Sequence, residues 1–257
     1  MKKFLFLAAL PLMLAACGDD NDEPKSVTLE YPEISVDYKA TVKNKASEKN
    51  CTWTSANDFI ATVDGDGNIS GEHVGTTVIT VTSKDGAVAK CTVTVKPTNT
   101  NFTLPYLSWG ATRQQVKDEM ATWTGFREEY DDEDGLGFVS TANSGLPGYS
   151  YGFNSNERLN AAGMTVSEEQ DDEDNWDFYG FLLQYYKKGG EQGNDFVLYN
   201  SANPADATMT VVYGPQVTGN TIYYRAIWGE STGTRGVDEA SVAKVEAGLA
   251  RLVNASK

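Results

Sequence analysis

The chain of 257 residues contains 36 acidic and 21 basic residues, which gives it a formal net charge of −15. This length is enough for two domains. Nucleic acids and anionic lipid headgroups are bound by basic surfaces, so the strong acidic excess argues against both as partners.

The first sixteen residues predict a secretory leader. Two lysines follow the initial methionine, and residues 4–14 are apolar but too few to span a bilayer as a helix. The sequence LAAC at 14–17 resembles the lipobox of bacterial lipoproteins. That resemblance implies cleavage after residue 16 and lipidation of Cys17. Each buried methylene of an acyl chain contributes about 0.8 kcal/mol to membrane binding, so a lipidated Cys17 implies a membrane-anchored protein.

An acidic segment, GDDNDEP at 18–24, follows the cysteine. Like charges repel and keep a chain extended, so residues 17–26 predict a solvated tether. The segment also resembles the acidic export signal that follows the lipidated cysteine in surface lipoproteins of the Bacteroidota. This implies an outer-membrane lipoprotein exposed at the cell surface. The inner leaflet of the outer membrane is the alternative location.

Residues 27–96 predict a domain of short β-strands. Apolar residues alternate with threonines at 76–82 and 89–95, while DGDGN at 64–68 and DG at 85–86 are turn sequences. The predicted strands are 27–31, 38–43, 52–55, 60–63, 76–82 and 89–95. Short strands at regular spacing favour a β-sandwich.

The same region resembles the group 2 bacterial immunoglobulin-like domain. The segments that carry the resemblance are TWTS at 52–55, IATVD at 60–64, GNISG at 67–71, GTTVITV at 75–81 and CTVTV at 91–95. The family occurs in adhesins and as spacers in surface proteins, so the resemblance implies display or binding rather than catalysis. It also implies that Trp53 is the core tryptophan.

Two metal-site alternatives in this domain are not supported by their spacing. Asp64, Asp66 and Asn68 have the oxygen spacing of a calcium loop, but Ile69 stands where the loop requires glycine. We therefore predict a hairpin turn. His73 is the only histidine and has no cysteine at zinc-ligand spacing, so we predict a loop residue.

Cys51 and Cys91 remain after lipidation of Cys17, and a disulfide between them is one alternative in an oxidising compartment. In the immunoglobulin-like family their two strands lie in one sheet with another strand between them. Next-nearest strands are about 10 Å apart, which is too far for a bridge. Free thiols are therefore the favoured alternative.

A polar linker at 97–101 leads into a second region, 102–257. TRQQ at 112–115 has the spacing of a capping box, and Val116, Met120 and Trp123 follow it at helical spacing. Further helices are predicted at 176–188 and 237–253, and strands at 136–141, 149–154, 159–166, 196–200, 208–213 and 221–228. The segment 176–188 ends with KK and is followed by GG at 189–190, a helix C-terminal signature, but its aromatic richness also allows a strand. The order helix, three strands, helix, three strands, helix favours an α+β domain with an antiparallel sheet and helices on one face.

The two halves of this region either form a diverged repeat or are alike by chance. Each contains an acidic run, at 128–134 and 168–174, and such runs predict solvated loops. The order of elements resembles the beta-lactamase-inhibitor-like folds of bacterial envelope proteins.

The second region is rich in aromatic residues, and a sheet covered on one side leaves its other face wet. Exposed aromatics beside an arginine are typical of recognition surfaces, so the candidate ligand-binding residues are Tyr151, Tyr224, Arg225 and Trp228. Strand alternation puts Tyr224 and Arg225 on opposite faces, so only one of the two belongs to that surface.

These features predict a non-enzymatic surface module that binds a neutral glycan or a protein without a cofactor, with the first domain as a spacer. A surface glycan hydrolase is one alternative, because paired carboxylates serve as acid and base in such enzymes. A calcium-binding surface protein is the other. The chain has no nucleophile motif, phosphate-binding loop or zinc pattern, which favours the binding module.

Overall fold

The computed structural model describes residues 26–142, 148–167, 172–219, 221–230 and 238–255. The leader, Cys17 and nearly all of the predicted tether lie outside these ranges, as do residues 168–171 of the second acidic run. The described chain forms a β-sandwich followed by an α+β domain with one large antiparallel sheet, as the sequence predicts.

Seven strands form the sandwich: β1 Glu33–Asp37, β2 Thr41–Lys43, β3 Thr52–Ser55, β4 Ala61–Val63, β5 Asn68–Gly71, β6 Gly75–Thr82 and β7 Val88–Lys96. One sheet has the order β1-β7-β6-β3 and the other the order β2-β5-β4. The threonine-alternating strands β6 and β7 turn their apolar residues inward. The predicted strand at 27–31 is wrong, because Leu29 forms only an isolated bridge with Ala46 and the first strand begins at Glu33.

The core of the sandwich is aliphatic, and its tryptophan lies at the rim. Ile69, Ile79 and Val93 are fully buried, whereas Trp53 is partly exposed and packs against them. Strand β3 is an edge strand, which explains why Trp53 is not enclosed. The expectation of an internal core tryptophan is therefore corrected.

The two cysteines of the sandwich are free thiols, as the strand-spacing argument favours. Cys91 is buried in β7, and Cys51 is partly buried just before β3. Strand β6 lies between β7 and β3, so the two thiols are separated by an intervening strand.

The described residues of the second domain form three α-helices and eight strands. They are α1 Arg113–Met120, β8 Phe126–Asp132, β9 Gly135–Ser140, β10 Gly148–Phe153, β11 Leu159–Ser167, α2 Asp172–Tyr185, β12 Lys187–Gln192, β13 Asp195–Tyr199, β14 Met209–Thr218, β15 Thr221–Glu230 and α3 Glu239–Ala255. The predicted capping box is present at the start of α1, with Thr112 and Gln115 bonding each other's backbone N–H.

Each half of this domain is a helix followed by four strands, rather than the three strands predicted. The sheet order is β12-β13-β14-β15-β11-β10-β9-β8, so the last strands of the two halves pair at its centre. The two strands that the sequence did not predict, β8 and β12, are the two edges. Edge strands of natural sheets carry charges that discourage pairing, which is why FREEYDD and KKGGEQ lack a strand pattern.

Helices cover both faces of the sheet, so the prediction of helices on one face is wrong. Val116 of α1 and Phe178 of α2 pack on the face that carries Tyr151 and Trp228. Helix α3 packs on the opposite face through residues that include Val245. It approaches closely because Gly163 lies beneath it, where an added Cβ would lie 2.5 Å from a methyl of Val245.

The two domains are joined by a buried glutamine at the end of α2. Gln184 is 1% exposed, and its Oε1 accepts hydrogen bonds from the N–H of Thr98 at 2.6 Å and of Asn99 at 2.9 Å. Its Nε2 donates to the carbonyl of Asn99, and its own carbonyl accepts from the N–H of Val74 in the sandwich at 2.7 Å. The linker is therefore held against the second domain, and we call this contact the joint.

Candidate functional site

Tyr151 and Trp228 are enclosed in the core, so their prediction as surface ligand-binding residues is wrong. Both are 0% exposed because α1 and α2 cover their face of the sheet. The Trp228 indole N–H donates to the Tyr186 hydroxyl at 2.8 Å, and the Tyr151 hydroxyl accepts from the N–H of Tyr106. Burial raises the pKa of Tyr151 far above its usual range.

Arg225 points to the face opposite Tyr224, as predicted, but it is buried and holds the fold together. Its guanidinium donates to both carboxylate oxygens of Asp195, at 3.0 and 2.8 Å, and approaches Glu246 of α3 at 3.5 Å. When the Gln216 amide is oriented so that its oxygen faces donors, that oxygen also accepts hydrogen bonds from the Arg225 guanidinium. These contacts join β13, β14, β15 and α3, so Arg225 is a structural residue.

Tyr224 is the one predicted site residue that is partly exposed. It belongs to a row of stacked rings on the α2 face, the aromatic row, made up of Tyr179, Phe196, Tyr213 and Tyr224, with adjacent centroids 5.1–6.3 Å apart. Lys188 lies over the Phe196 ring, with its Nζ 4.1 Å from the centroid, and bonds Glu191 at 2.6 Å. The chain's own lysine thus covers the Phe196 end of this row, and the row packs rings of neighbouring strands against each other and against Tyr179 of α2.

The first acidic run is an edge strand and its turn, and not the solvated loop that was predicted. On the α1 face, Asp131 bonds Lys117 at 2.5 Å and Arg113 at 2.8 Å. Burial opposes ionisation of Asp131, yet these two cations hold its pKa below the usual value. On the α3 face, Arg251 lies 4.0 Å above the Tyr130 ring and bonds Asp132. The run therefore ties helices to both sides of the sheet edge.

A groove opens between this edge and the end of α1. Its volume is about 340 Å³. It is lined by the apolar residues Met120, Ala121, Trp123, Phe126 and Phe138 and by four polar residues that we call the rim, Gln114, Lys117, Asp118 and Glu128. We call it the α1 groove. Helix α1, the turn after it and strands β8 and β9 all contribute to the groove.

Trp123 gives the α1 groove a rigid aromatic wall. It follows the last turn of α1, where its N–H donates to the carbonyl of Met120. Its ring stands edge-on to Tyr149, with centroids 5.4 Å apart and an interplanar angle of 89°, and Phe126 packs against both rings. The indole N–H donates to Glu119 at 3.2 Å. These contacts fix the ring while leaving it partly exposed.

The rim of the α1 groove is polar and negatively charged. Gln114 donates to Asp118 at 2.8 Å, and Lys117 bonds Glu128 at 3.1 Å. The hydrogen bond from Lys117 to Asp131 is the main reason that the pKa of Lys117 is raised, and Glu128 adds to it. The single base of the rim is therefore already paired with two carboxylates.

Sequence reasoning missed this groove because Trp123 followed the apolar spacing of α1 and was assigned to the helix's buried stripe. The helix in fact ends at Met120, and the chain turns before β8. A useful signal was available in TWTGF at 122–126, where two aromatic residues flank a glycine in a turn-like sequence.

The polar residues of the sandwich that were weighed as metal ligands have structural contacts. Asp64 accepts from the N–H of Asp66 and Asn68, which confirms the hairpin turn. The His73 ring stacks on Phe59 at 3.9 Å, and burial lowers its pKa. Among the residues that the structure describes, no group of three or more His, Cys, Asp or Glu side chains is arranged to hold a metal ion.

Comparisons with known proteins identify the first domain. The sequence model of the bacterial Ig-like domain (group 2) matches residues 25–100, which confirms the resemblance predicted from the strand motifs. An alpha-L-arabinofuranosidase from Bifidobacterium longum subsp. longum is 42% identical over 91 residues, or 35% of this chain. The chain spans only 8% of the length of that relative.

Solved structures with related segments include a crystal structure of an intimin mutant from EHEC O157:H7. It is 15% identical, covers 47% of this chain and 88% of its own, and has a TM-score of 0.26. The extracellular cadherin domains 1–4 of protocadherin gamma B7 are 10% identical, with coverage of 81% and 50% and a TM-score of 0.27. At these scores the likenesses carry no conclusion about function. In the described ranges, no helix is both long enough and apolar enough to cross a bilayer.

Proposed function

We propose that this protein is a non-enzymatic binding or adhesion module displayed on the cell surface, and that its ligand, a glycan or a protein, binds in the α1 groove. The observation that carries the proposal is the partly exposed Trp123, which is held rigidly at the wall of an open groove with a polar rim. A ring fixed before binding loses little conformational freedom when a ligand stacks on it.

The contacts of the rim carboxylates favour binding over catalysis. Asp118 accepts a hydrogen bond from the Gln114 amide, and Glu128 forms an ion pair with Lys117. These partners hold both carboxylates in place, where they can accept hydrogen bonds from a ligand. Proton transfer at neutral pH instead calls for a carboxyl group whose pKa is raised by an apolar surrounding. The arabinofuranosidase relative is consistent with a role near glycans, but its similarity extends over too little of that protein to carry its activity here.

The bacterial Ig-like domain acts in this proposal as an arm between the membrane and the groove. Lipidation of Cys17 anchors the chain in the outer membrane, and the acidic segment after it serves as a tether. The Gln184 joint then holds the second domain in a fixed orientation on that arm. This differs from a freely hinged spacer, because the linker backbone is bonded to a buried side chain.

Binding is tested with the mature chain bearing Cys17→Ser, purified without lipid and applied to arrays of oligosaccharides and of extracellular proteins. The proposal expects a ligand whose binding falls at least about tenfold with Trp123→Ala, the size of effect seen at central aromatic contacts. Trp109→Ala is the matched control, because Trp109 is also partly buried against the same core but does not line the groove. Equal losses in both variants, or none in Trp123→Ala, would contradict the proposal.

Display is tested separately in cells that express the natural leader. Cys17→Ser should release the protein from membranes or block processing of the leader, and protease added to intact cells should digest the wild type. Membrane attachment that survives Cys17→Ser would exclude the lipid anchor. Protection from protease in intact cells would place the protein on the inner leaflet instead.

A further inference from the structure

The α1 groove has the size, ring geometry and charge of a site for an uncharged sugar. We propose that its ligand is a neutral oligosaccharide, with one sugar ring stacked on Trp123 and its hydroxyl groups donating to the rim carboxylates. This inference rests on the proposed function and deepens it by choosing between a glycan and a protein ligand.

The size of the groove favours a small ligand. Its volume of about 340 Å³ falls at the lower end of the range for small-molecule sites, about 300–1,000 Å³. A stable protein ligand would instead need about 800 Å² of contact surface on each partner. Within the described parts of the second domain, the exposed large apolar side chains are Val217 and Ile222, which stand as a pair near the tip of the β14–β15 hairpin and away from the groove.

The aromatic geometry favours a stacked ring. Phe126 and Tyr149 contact Trp123 and each other, and Tyr149 meets the indole edge-on. The contacts of Tyr149 and Phe126 with the indole are T-shaped, at interplanar angles of 89° and 67°, so neither ring stacks on it in parallel. The hydrogen bond to Glu119 restrains the rotation of the indole. A sugar ring presents a flat apolar face of C–H groups, which matches a fixed indole face with little cost in side-chain entropy.

The charges of the rim select against anionic sugars. Glu119 accepts from the indole N–H, and Asp118 and Glu128 line the same groove, while Lys117 is already bonded to Glu128 and Asp131. A uronate or sulfate would meet the net negative charge of the rim, because the single base of the rim, Lys117, is already bonded to two carboxylates. Neutral sugars offer hydroxyl donors, and a hydrogen bond that a carboxylate accepts is stronger than one between neutral groups.

The test compares three probe sets on the Cys17→Ser mature chain: neutral arabino-, gluco- and manno-oligosaccharides, uronate-containing oligosaccharides, and sulfated ones. We expect binding within the neutral set, with little dependence on added salt, since no ion pair forms with the ligand. Trp123→Ala should weaken it at least about tenfold, and Trp109→Ala should leave it unchanged.

A second variant tests whether the affinities for neutral and for uronate-containing probes change in opposite directions. Replacing both rim acids, Asp118→Asn with Glu128→Gln, should weaken neutral binding by about two- to tenfold, because the amide oxygens still accept hydrogen bonds but these are weaker than bonds to a carboxylate. The same variant should improve binding of the uronate set, because the repulsion is removed. Both substitutions lie at exposed positions of the rim, so we expect the variants to fold. Far-ultraviolet circular dichroism and melting curves check this.

Two results separate failure of this inference from failure of the proposed function. If a protein ligand binds in a Trp123-dependent manner while the neutral set does not bind, the groove is a binding site and the sugar assignment is wrong. Preferential binding of uronate or sulfated probes by the wild type would also overturn the assignment. If no probe or protein depends on Trp123, the proposed function itself fails.

Discussion

The bacterial Ig-like domain and the second domain fill their cores with different side chains. The first places two small sheets face to face across aliphatic residues such as Ile69 and Ile79. The second places one eight-stranded sheet between helices, and its enclosed side chains include Trp228, Tyr149 and Tyr151. The aromatic richness of the second domain is therefore mainly a property of its core. Among the described residues, the rings that keep part of their surface exposed, such as Trp123 and Tyr224, are the ones available to a ligand.

The tryptophans of the two domains give the largest expected contrast. Trp228→Ala removes a fully buried ring and its hydrogen bond to Tyr186, and we expect it to lower the free energy of unfolding of the second domain by about 3–5 kcal/mol. Trp53→Ala removes a ring from the rim of the sandwich and should cost only about 2 kcal/mol. Hydrogen exchange read by mass spectrometry follows each domain separately. Equal losses would show that Trp53 is as enclosed as Trp228.

The second-largest expected loss of stability comes from changing Gln184 at the joint, which connects the two domains. Gln184→Leu leaves the N–H groups of Thr98 and Asn99 without their acceptor and should cost about 2–3 kcal/mol. Calorimetry should then resolve two melting transitions further apart than in the wild type. Gln114→Leu is the control on an exposed glutamine of α1. An unchanged melting profile for Gln184→Leu would mean that the domains are not coupled through this residue.

Gly67 lies against the Trp53 ring, so substitutions there test how closely the sandwich is packed at this point. Gly67 has φ of +79°, and an added Cβ would lie 2.4 Å from the carbonyl oxygen of Asn44 and 2.9 Å from the Trp53 ring. Gly67→Ala should lower the free energy of unfolding by about 1–2 kcal/mol for the strained backbone alone. Gly65→Ala, two residues earlier, meets no atom within 4 Å and should be nearly neutral in urea unfolding. Similar losses in both variants would refute the close packing at Gly67.

The smallest effect concerns pH and the single histidine. Burial lowers the pKa of His73 in the folded chain, so on acidification the unfolded chain takes up the proton first, from about pH 6.5 downward. Stability contributed by the neutral ring is present above that pH and is lost as the pH falls toward the folded pKa. The wild type should therefore lose more stability between neutral and mildly acidic pH than His73→Gln, as measured by urea unfolding. Parallel losses would show that His73 takes up its proton equally in both states.

Short-range patterns predicted much of this fold. The alternation of apolar residues with threonines predicted β6 and β7, and the capping box predicted the start of α1. The lysine pair at 187–188 and the glycine pair at 189–190 predicted that α2 ends near residue 188, which is wrong. The helix ends at Tyr185, and residues from Lys187 onward form β12. An exposed edge strand has no buried face, so it shows no alternation that a sequence reader can detect.

Of the four residues predicted to bind a ligand, the structure leaves only Tyr224 partly exposed, and the groove it shows instead contains none of them. The sequence by itself determined that the chain has a β-sandwich followed by an α+β domain, because strand alternation and helix caps depend on neighbouring residues, and the resemblance of its strand motifs identified the sandwich as immunoglobulin-like. Only the tertiary structure decided which aromatic residues face solvent. That outcome depends on α1 and α2 covering the face that carries Tyr151 and Trp228, on α3 covering the other face, and on α1 ending before Trp123. None of these is encoded in the periodicity of the strands themselves.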